Sequence, residues 1–140
     1  MARTRRLKSA DYQNLAAFRL AMRRFLAIAD ANARGAGLTP RQHQALLSIK
    51  GGYPGRQQVS IGDLADHLLL KNHSAVELVA RLVKAGLVVR EPSTEDRRRV
   101  CVWITPKGEE VLDRLSDASL RELRASSDIM QALIAGLEAP

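Results

Sequence analysis

At 140 residues, with 46% hydrophobic and 26% charged side chains, the chain has the length and balance of one globular domain with a modest core. No apolar run approaches the roughly 20 residues of a membrane span. The basic start, Met-Ala-Arg-Thr-Arg-Arg, has no apolar stretch behind it, so no secretory signal is expected. The single cysteine, Cys101, excludes an internal disulfide framework and fits a reducing, cytoplasmic setting. The net charge of +7 suits a polyanion such as DNA or an acidic membrane surface, but its placement is uneven. Residues 1–59 carry 11 Lys+Arg against 2 Asp+Glu, residues 60–110 carry 8 against 8, and residues 111–140 carry 3 against 5. A functional argument must therefore rest on local placement rather than on the total.

Arg3, Arg5, Arg6 and Lys8 form a basic arm with little to bury, read first as a solvated terminus and second as extra phosphate contact that needs no fixed structure. Ser9 is the expected N-cap of a first helix of about 24 residues, with Asp11 where the helix dipole favours an anion. Leu15, Phe18, Met22, Phe25 and Ala29 recur at intervals of three and four, a heptad-like seam long enough to expect a second chain against much of it. Gly35-Ala36-Gly37 ends that helix. Leu38-Thr39-Pro40-Arg41-Gln42 starts the next: Thr39 caps, Pro40 takes the first helical position and Gln42 completes a capping box.

From Ser60 to Thr105 the pattern is a short helix, a tight turn, a longer helix and a two-stranded hairpin, the order of a helix-turn-helix with a wing. Ser60 and Asp63 form the capping pair of the short helix, and Ile61, Leu64, Ala65 and Leu68 point inward. Leu69 and Leu70 are expected to fill the turn. The following helix starts at Lys71 or Asn72, with Asn72 as a candidate cap; Ala75, Leu78, Val79, Leu82 and Val83 bury one side. Asn72, His73, Ser74, Glu77 and Arg81 are left outside, polar and hydrogen-bonding as groove readers must be. Gly86 sits where a helix end needs a left-handed residue. Leu87–Arg90 reads as a strand, and Val100, Val102 and Ile104 alternate with Cys101 and Trp103 at strand period. Between them Arg97, Arg98 and Arg99 occupy a turn-rich tip, where an arginine gains from the negative potential of a narrow minor groove. Asp96 is placed to hold one guanidinium. Thr105-Pro106 starts a helix running to about Leu123; Ser126-Ser127-Asp128 reads as a break before a last amphipathic helix carrying Ile129, Met130, Leu133, Ile134 and Leu137.

The expected architecture is mainly α with a small β-hairpin wing: a winged helix-turn-helix at 38–105, an N-terminal arm and dimerisation helix at 1–37, and C-terminal dimerisation helices at 106–140, in one continuous domain. Leu15, Phe18, Met22, Phe25, Ile129, Leu133 and Leu137 are the candidate dimer residues. A symmetric pair would present two reading helices about 34–36 Å apart, as a pseudo-palindromic duplex requires.

The stretch Leu38 to Leu112 resembles the multiple antibiotic resistance regulator (MarR) family. The resemblance is carried by Leu-Thr-Pro at 38–40, Gln44 with Leu46-Leu47, Leu64-Ala65, Arg81-Leu82 and Gly86-Leu87-Val88 before Arg90. Its most specific part is Asp96-Arg97-Arg98-Arg99 leading into Val102-Trp103-Ile104-Thr105-Pro106-Lys107-Gly108. The resemblance implies a homodimer built from the terminal helices, a reading helix in the major groove, Arg98 in the minor groove, and repression relieved by a small ligand. On that reading Asn72, His73, Ser74 and Glu77 contact bases, while Lys71, Arg81, Arg97 and Arg99 meet phosphates. The reading helix departs from the family: where small hydroxyl residues and a base are usual, it has Lys71, His73, Val76 and Glu77. Glu77 either accepts from a cytosine amino group or repels phosphate.

Other chemistry is weakly signalled. His43, His67 and His73 are too scattered for metal spacing. Cys101 could serve a redox-sensing regulator, but a strand position favours an inert thiol. No Gly-rich phosphate loop, Ser-His-Asp set or carboxylate pair points to an enzyme, and no cofactor is expected. A second class, a winged-helix module that binds protein and has no DNA function, has no need for three arginines at the tip. Phe25 and Met22 could line an effector pocket between the terminal helices and the reading unit.

Overall fold

Local capping sets most of the helix starts. In the computed structural model, which describes residues 4–137, helices run at Ser9–Gly35 (α1), Pro40–Gly51 (α2), Ile61–His67 (α3), Asn72–Lys84 (α4) and Pro106–Ala135 (α5). Strands run at Val59–Ser60 (β1), Val88–Pro92 (β2) and Val100–Ile104 (β3). Arg3 of the expected arm lies outside the described residues. Thr39 accepts from the Gln42 amide at 3.1 Å and Gln42 returns the bond to the Thr39 amide at 2.8 Å, the expected box. Thr105 caps α5 through the Gly108 amide at 3.1 Å. Ser9 does not cap α1: it is the first helical residue, the cap position is Lys8, and the Lys8 amide donates to the Asp11 carboxylate at 2.8 Å.

The core lies under the reading unit. Leu46 of α2, Leu64 of α3, Val79 and Leu82 of α4, Val88 of β2 and Val102 of β3 are its largest fully buried side chains. Each stabilises the fold by about 1.5–3 kcal/mol through loss of water contact. The sheet has three strands, not the expected two, in the order β1-β3-β2 and antiparallel throughout. The added strand is too short to show a period in the sequence; it exists because Val59 and Ser60 pair with Val102 and Cys101. That pairing makes β3 central, and Cys101 is buried beside Val102 instead of alternating outward. The β2 strand starts one residue later and ends two later than expected, at Val88 and Pro92.

α1 and α5 lie antiparallel. The Asn14 side-chain amide donates to the Gly136 carbonyl at 3.2 Å at one end, while Ala33 shares the core with Val111, Leu112 and Leu115 at the other. α5 is one continuous helix of 30 residues with no break at 126–128. The Ser127 hydroxyl donates back to the Arg124 carbonyl at 2.8 Å, so its polarity is spent within the helix. The α1 seam divides: Phe18, Phe25 and Ala29 are half-buried as α1 packs along α5 of the same chain, whereas Leu15 and Met22 stay exposed. Leu133 is half-buried, and Ile129 and Leu137 are exposed.

His43 of α2 is buried at the α1–α2 junction. Burial pushes its pKa below the ordinary histidine value, against the opposing pull of Asp30 on α1. The unfolded ring titrates near 6.5, so as pH falls the unfolded chain takes up that proton first. His43 therefore lets stability fall as pH drops from about 6.5 toward its lower folded-state pKa. Urea midpoints at about pH 7.5 and 5.5 are expected to differ more in the natural chain than in His43→Gln. Equal differences in the two proteins would refute this role.

Candidate nucleic-acid interface

The α3–turn–α4 unit is held at both ends of α3. Ser60 accepts from the Asp63 amide and the Asp63 carboxylate accepts from the Ser60 amide, each at 3.0 Å. At the far end the Leu70 amide reaches the Ala65 carbonyl at 2.8 Å across Leu69, whose φ of +56° is left-handed. A leucine there costs about 1 kcal/mol relative to glycine. This backbone turns Leu69 outward to 93% exposure; only Leu68 and Leu70 pack against the core. The expectation that both Leu69 and Leu70 fill the turn is thus corrected.

α4 buries Ala75, Leu78, Val79 and Leu82. Lys71, Asn72, His73, Val76, Glu77 and Arg81 are exposed and Ser74 is half-buried. Asn72 is not the cap. Lys71 holds that position and, among the described residues, no side chain bonds to the first-turn amides, leaving the start of α4 suited to an anion.

The wing is built on Ser93. Its amide donates to the Arg99 carbonyl at 2.8 Å, and its hydroxyl accepts from the Glu95 and Asp96 amides at 3.2 and 3.3 Å and donates to Gln58 Oε1 at 2.8 Å. Gln58 Nε2 donates to Thr94 at 2.6 Å, so the loop before β1 ties the wing root down. Asp96 accepts from the Arg98 amide at 3.1 Å and touches Arg98 Nε at 3.4 Å. The Arg98 side chain is still 93% exposed, and Arg97 is exposed as well. The three arginines are not equivalent. Arg99 Nη2 donates to Ser60 Oγ at 2.8 Å and to Asp63 Oδ1 at 3.0 Å, bracing the wing against α3. Arg99 is thus tied to α3 as well as exposed, unlike its two neighbours. Arg56, which the sequence reading passed over, donates to the other Asp63 oxygen at 3.0 Å. Burial pushes the Asp63 carboxyl up, but the Ser60 bonds and then Arg56 and Arg99 together outweigh it, and its pKa lies below the usual carboxylate value.

α4 and the wing share one cleft of 430 Å³, lined by Asn72 and Val76 on one side and Arg98 and Arg99 on the other, with Asp66 also on its wall. Lys71, His73, Glu77, Arg81 and Arg97 are exposed on the elements that flank it. The remaining candidates separate. His43 is on α2, His67 on α3 with Nδ1 2.7 Å from Ser48 Oγ, and His73 on α4. Among the described residues no group of three or more His, Cys, Asp or Glu could hold a metal ion. The buried Cys101 thiol lies 3.6 Å from Gln58 Oε1, without the access a redox sensor needs. Among the described residues no helix is long and apolar enough to cross a membrane.

Residues 36–99 match the sequence model of the MarR family. Over 86 residues, 61% of this chain and 49% of the relative, the chain is 34% identical to a putative transcriptional regulatory protein for the hcr operon of Thauera aromatica. It spans about half the length of the curated relatives it matches. A mutant of Staphylococcus aureus MepR bound to an oligodeoxyribonucleotide is similar in fold, with a TM-score of 0.63 at 19% identity over 91% of this chain and 84% of that one. So is NadR in complex with 4-hydroxyphenylacetate, with a TM-score of 0.66 at 24% identity over 93% and 86%.

Proposed function

We propose that the chain is a member of the MarR family, whose sequence model residues 36–99 match, and that it is a cytoplasmic homodimeric regulator of transcription that binds duplex DNA. Its action is binding rather than catalysis. The observation that carries this is the shared cleft of α4 and the wing, which sets exposed Asn72 and Val76 beside the exposed Arg98 finger. Asn72, His73, Ser74 and Glu77 read base edges in the major groove, and exposed Val76 adds an apolar contact of the kind a thymine methyl accepts. Arg98 enters the minor groove, and Lys71, Arg81 and Arg97 meet phosphates.

Arg98→Ala is expected to weaken binding to cognate and random duplexes alike, by about tenfold, and to lower the slope of log affinity against log salt by roughly 0.9. Fluorescence anisotropy over a salt series measures both; an unchanged slope removes Arg98 from the interface. Selecting bound duplexes from a random pool would give the half-sites and their spacing.

Repression relieved by a small ligand is the regulatory part of the same reading. NadR, similar in fold, is in complex with the small carboxylate 4-hydroxyphenylacetate, which supports this part of the reading.

A further inference from the structure

A second pocket lies at the wing root, with a volume of 340 Å³; Arg56, Gln58, Ser60, Asp63, Glu95 and Arg99 are on its wall. Two guanidinium groups converge there on one carboxylate. Arg56 uses Nη2 on Asp63, and Arg99 uses Nη2 on Asp63 and Ser60. Among the described residues the other nitrogens of both forks have no protein hydrogen-bond partner, and both side chains are about half exposed to solvent. The Arg56 guanidinium is also held over the Tyr53 ring, 5.1 Å from its centroid. Two acceptors on the same wall are already engaged: Gln58 Oε1 takes the Ser93 hydroxyl, and Asp63 takes both arginines and the Ser60 amide, which leaves the Glu95 carboxylate as the opposing charge. The pocket is therefore rich in unused donors on two positioned cations, which is the chemistry that recognises a planar or tetrahedral oxyanion.

We propose that this pocket seats a small oxyanion, a carboxylate or a phosphate, between Arg56 and Arg99. Because Arg99 Nη2 braces the wing on Asp63 and Ser60, an anion on the remaining nitrogens of the same fork couples the seat to the position of the wing. Glu95 on the wall opposes the anion and sets the affinity low. The oxyanion has two sources, a free small molecule or a backbone phosphate of a bound duplex. The seat itself does not depend on the DNA reading; only the second source does.

Inorganic phosphate titrated into the 140-residue chain at constant ionic strength, followed by the Arg Nε resonances, tests the first source. Arg56→Gln is expected to weaken phosphate binding about tenfold, through loss of a charge-assisted pair of bonds. Glu95→Gln, which leaves both arginines in place, is expected to tighten it about threefold. Duplex binding over a salt series tests the second source: a slope lowered by roughly one in Arg56→Gln assigns the seat to a backbone phosphate. If phosphate binding and the duplex slope are both unaffected by Arg56→Gln, the proposal is overturned. If the natural chain binds no duplex at all, the DNA reading fails, and the phosphate titration alone decides the seat.

Discussion

Gly108→Ala is expected to cost about 3 kcal/mol or more and to lower the melting temperature by roughly 10 °C. A Cβ on Gly108 would stand 2.2 Å from the Leu87 carbonyl oxygen and 2.8 Å from the Ile104 side chain. The first of these is backbone and cannot swing aside. It is also already committed, since it accepts from the Thr105 amide at 3.0 Å, while the Thr105 hydroxyl donates to the Gly86 carbonyl at 2.6 Å. This knot joins the start of α5 to the end of α4 and the root of the wing, so relieving the clash would shift the reading unit relative to the long helices. Marginal stability of 5–15 kcal/mol makes such a loss large. Gly35→Ala is the matched control. Its Cβ meets nothing within 4 Å at the end of α1, and a neutral effect or a gain of up to about 1 kcal/mol is expected. Thermal melts of the two variants check the contrast; equal melting temperatures would show that the joint yields without cost.

The second large effect concerns the face that one chain leaves uncovered. Leu15, Met22 and Leu26 of α1 are 58%, 39% and 50% exposed, and Leu120 and Leu123 of α5 are 48% and 47% exposed. Met22, Leu26 and Leu123 line the same cleft, which makes the surface continuous across both helices. Exposed apolar surface of this extent belongs against a partner. The charges suit a second copy. α1 carries four basic residues, Arg19, Arg23, Arg24 and Arg34, against Asp11 and Asp30, and α5 carries six acidic residues against four basic ones. A two-fold arrangement sets the basic helix of each copy near the acidic helix of the other. Leu26→Glu combined with Leu123→Glu is expected to give a folded monomer at micromolar concentration. Affinity for a palindromic duplex should then fall on the order of 100-fold or more, because each half-site must be bound without its neighbour. Light scattering with size exclusion reads the mass, circular dichroism the fold, and anisotropy the affinity. A variant that stays dimeric, or a monomer that binds the palindrome as tightly as before, would sink the arrangement.

Much of this molecule was legible before folding, because the interactions that write it span three or four residues. Thr39 with Gln42, Ser60 with Asp63, and Thr105 with Gly108 close their caps within one turn, and Gly86 takes a left-handed φ of +75° at the end of α4. The buried stripe of Ala75, Leu78, Val79 and Leu82 follows from helical period alone, and the exposure of Asn72, His73 and Glu77 follows with it. Single-residue signals were less secure. Serines at 126–127 looked like a break because their polarity favours turns, yet a helix packed along α1 absorbs them.

What only the tertiary structure decided are the choices made between segments far apart in the chain. Three adjacent arginines look alike in sequence. Arg99 becomes a brace because Asp63, 36 residues earlier, lies within reach, while Arg97 and Arg98 stay exposed at the tip, Arg98 beside Asp96. The β1 strand, the burial of Cys101, the outward turn of Leu69 and the exposed flank of α1 were decided in the same way. Periodicity records which residues share a face, but not which neighbour covers that face: that is settled by packing and by whichever distant partner satisfies each buried polar group.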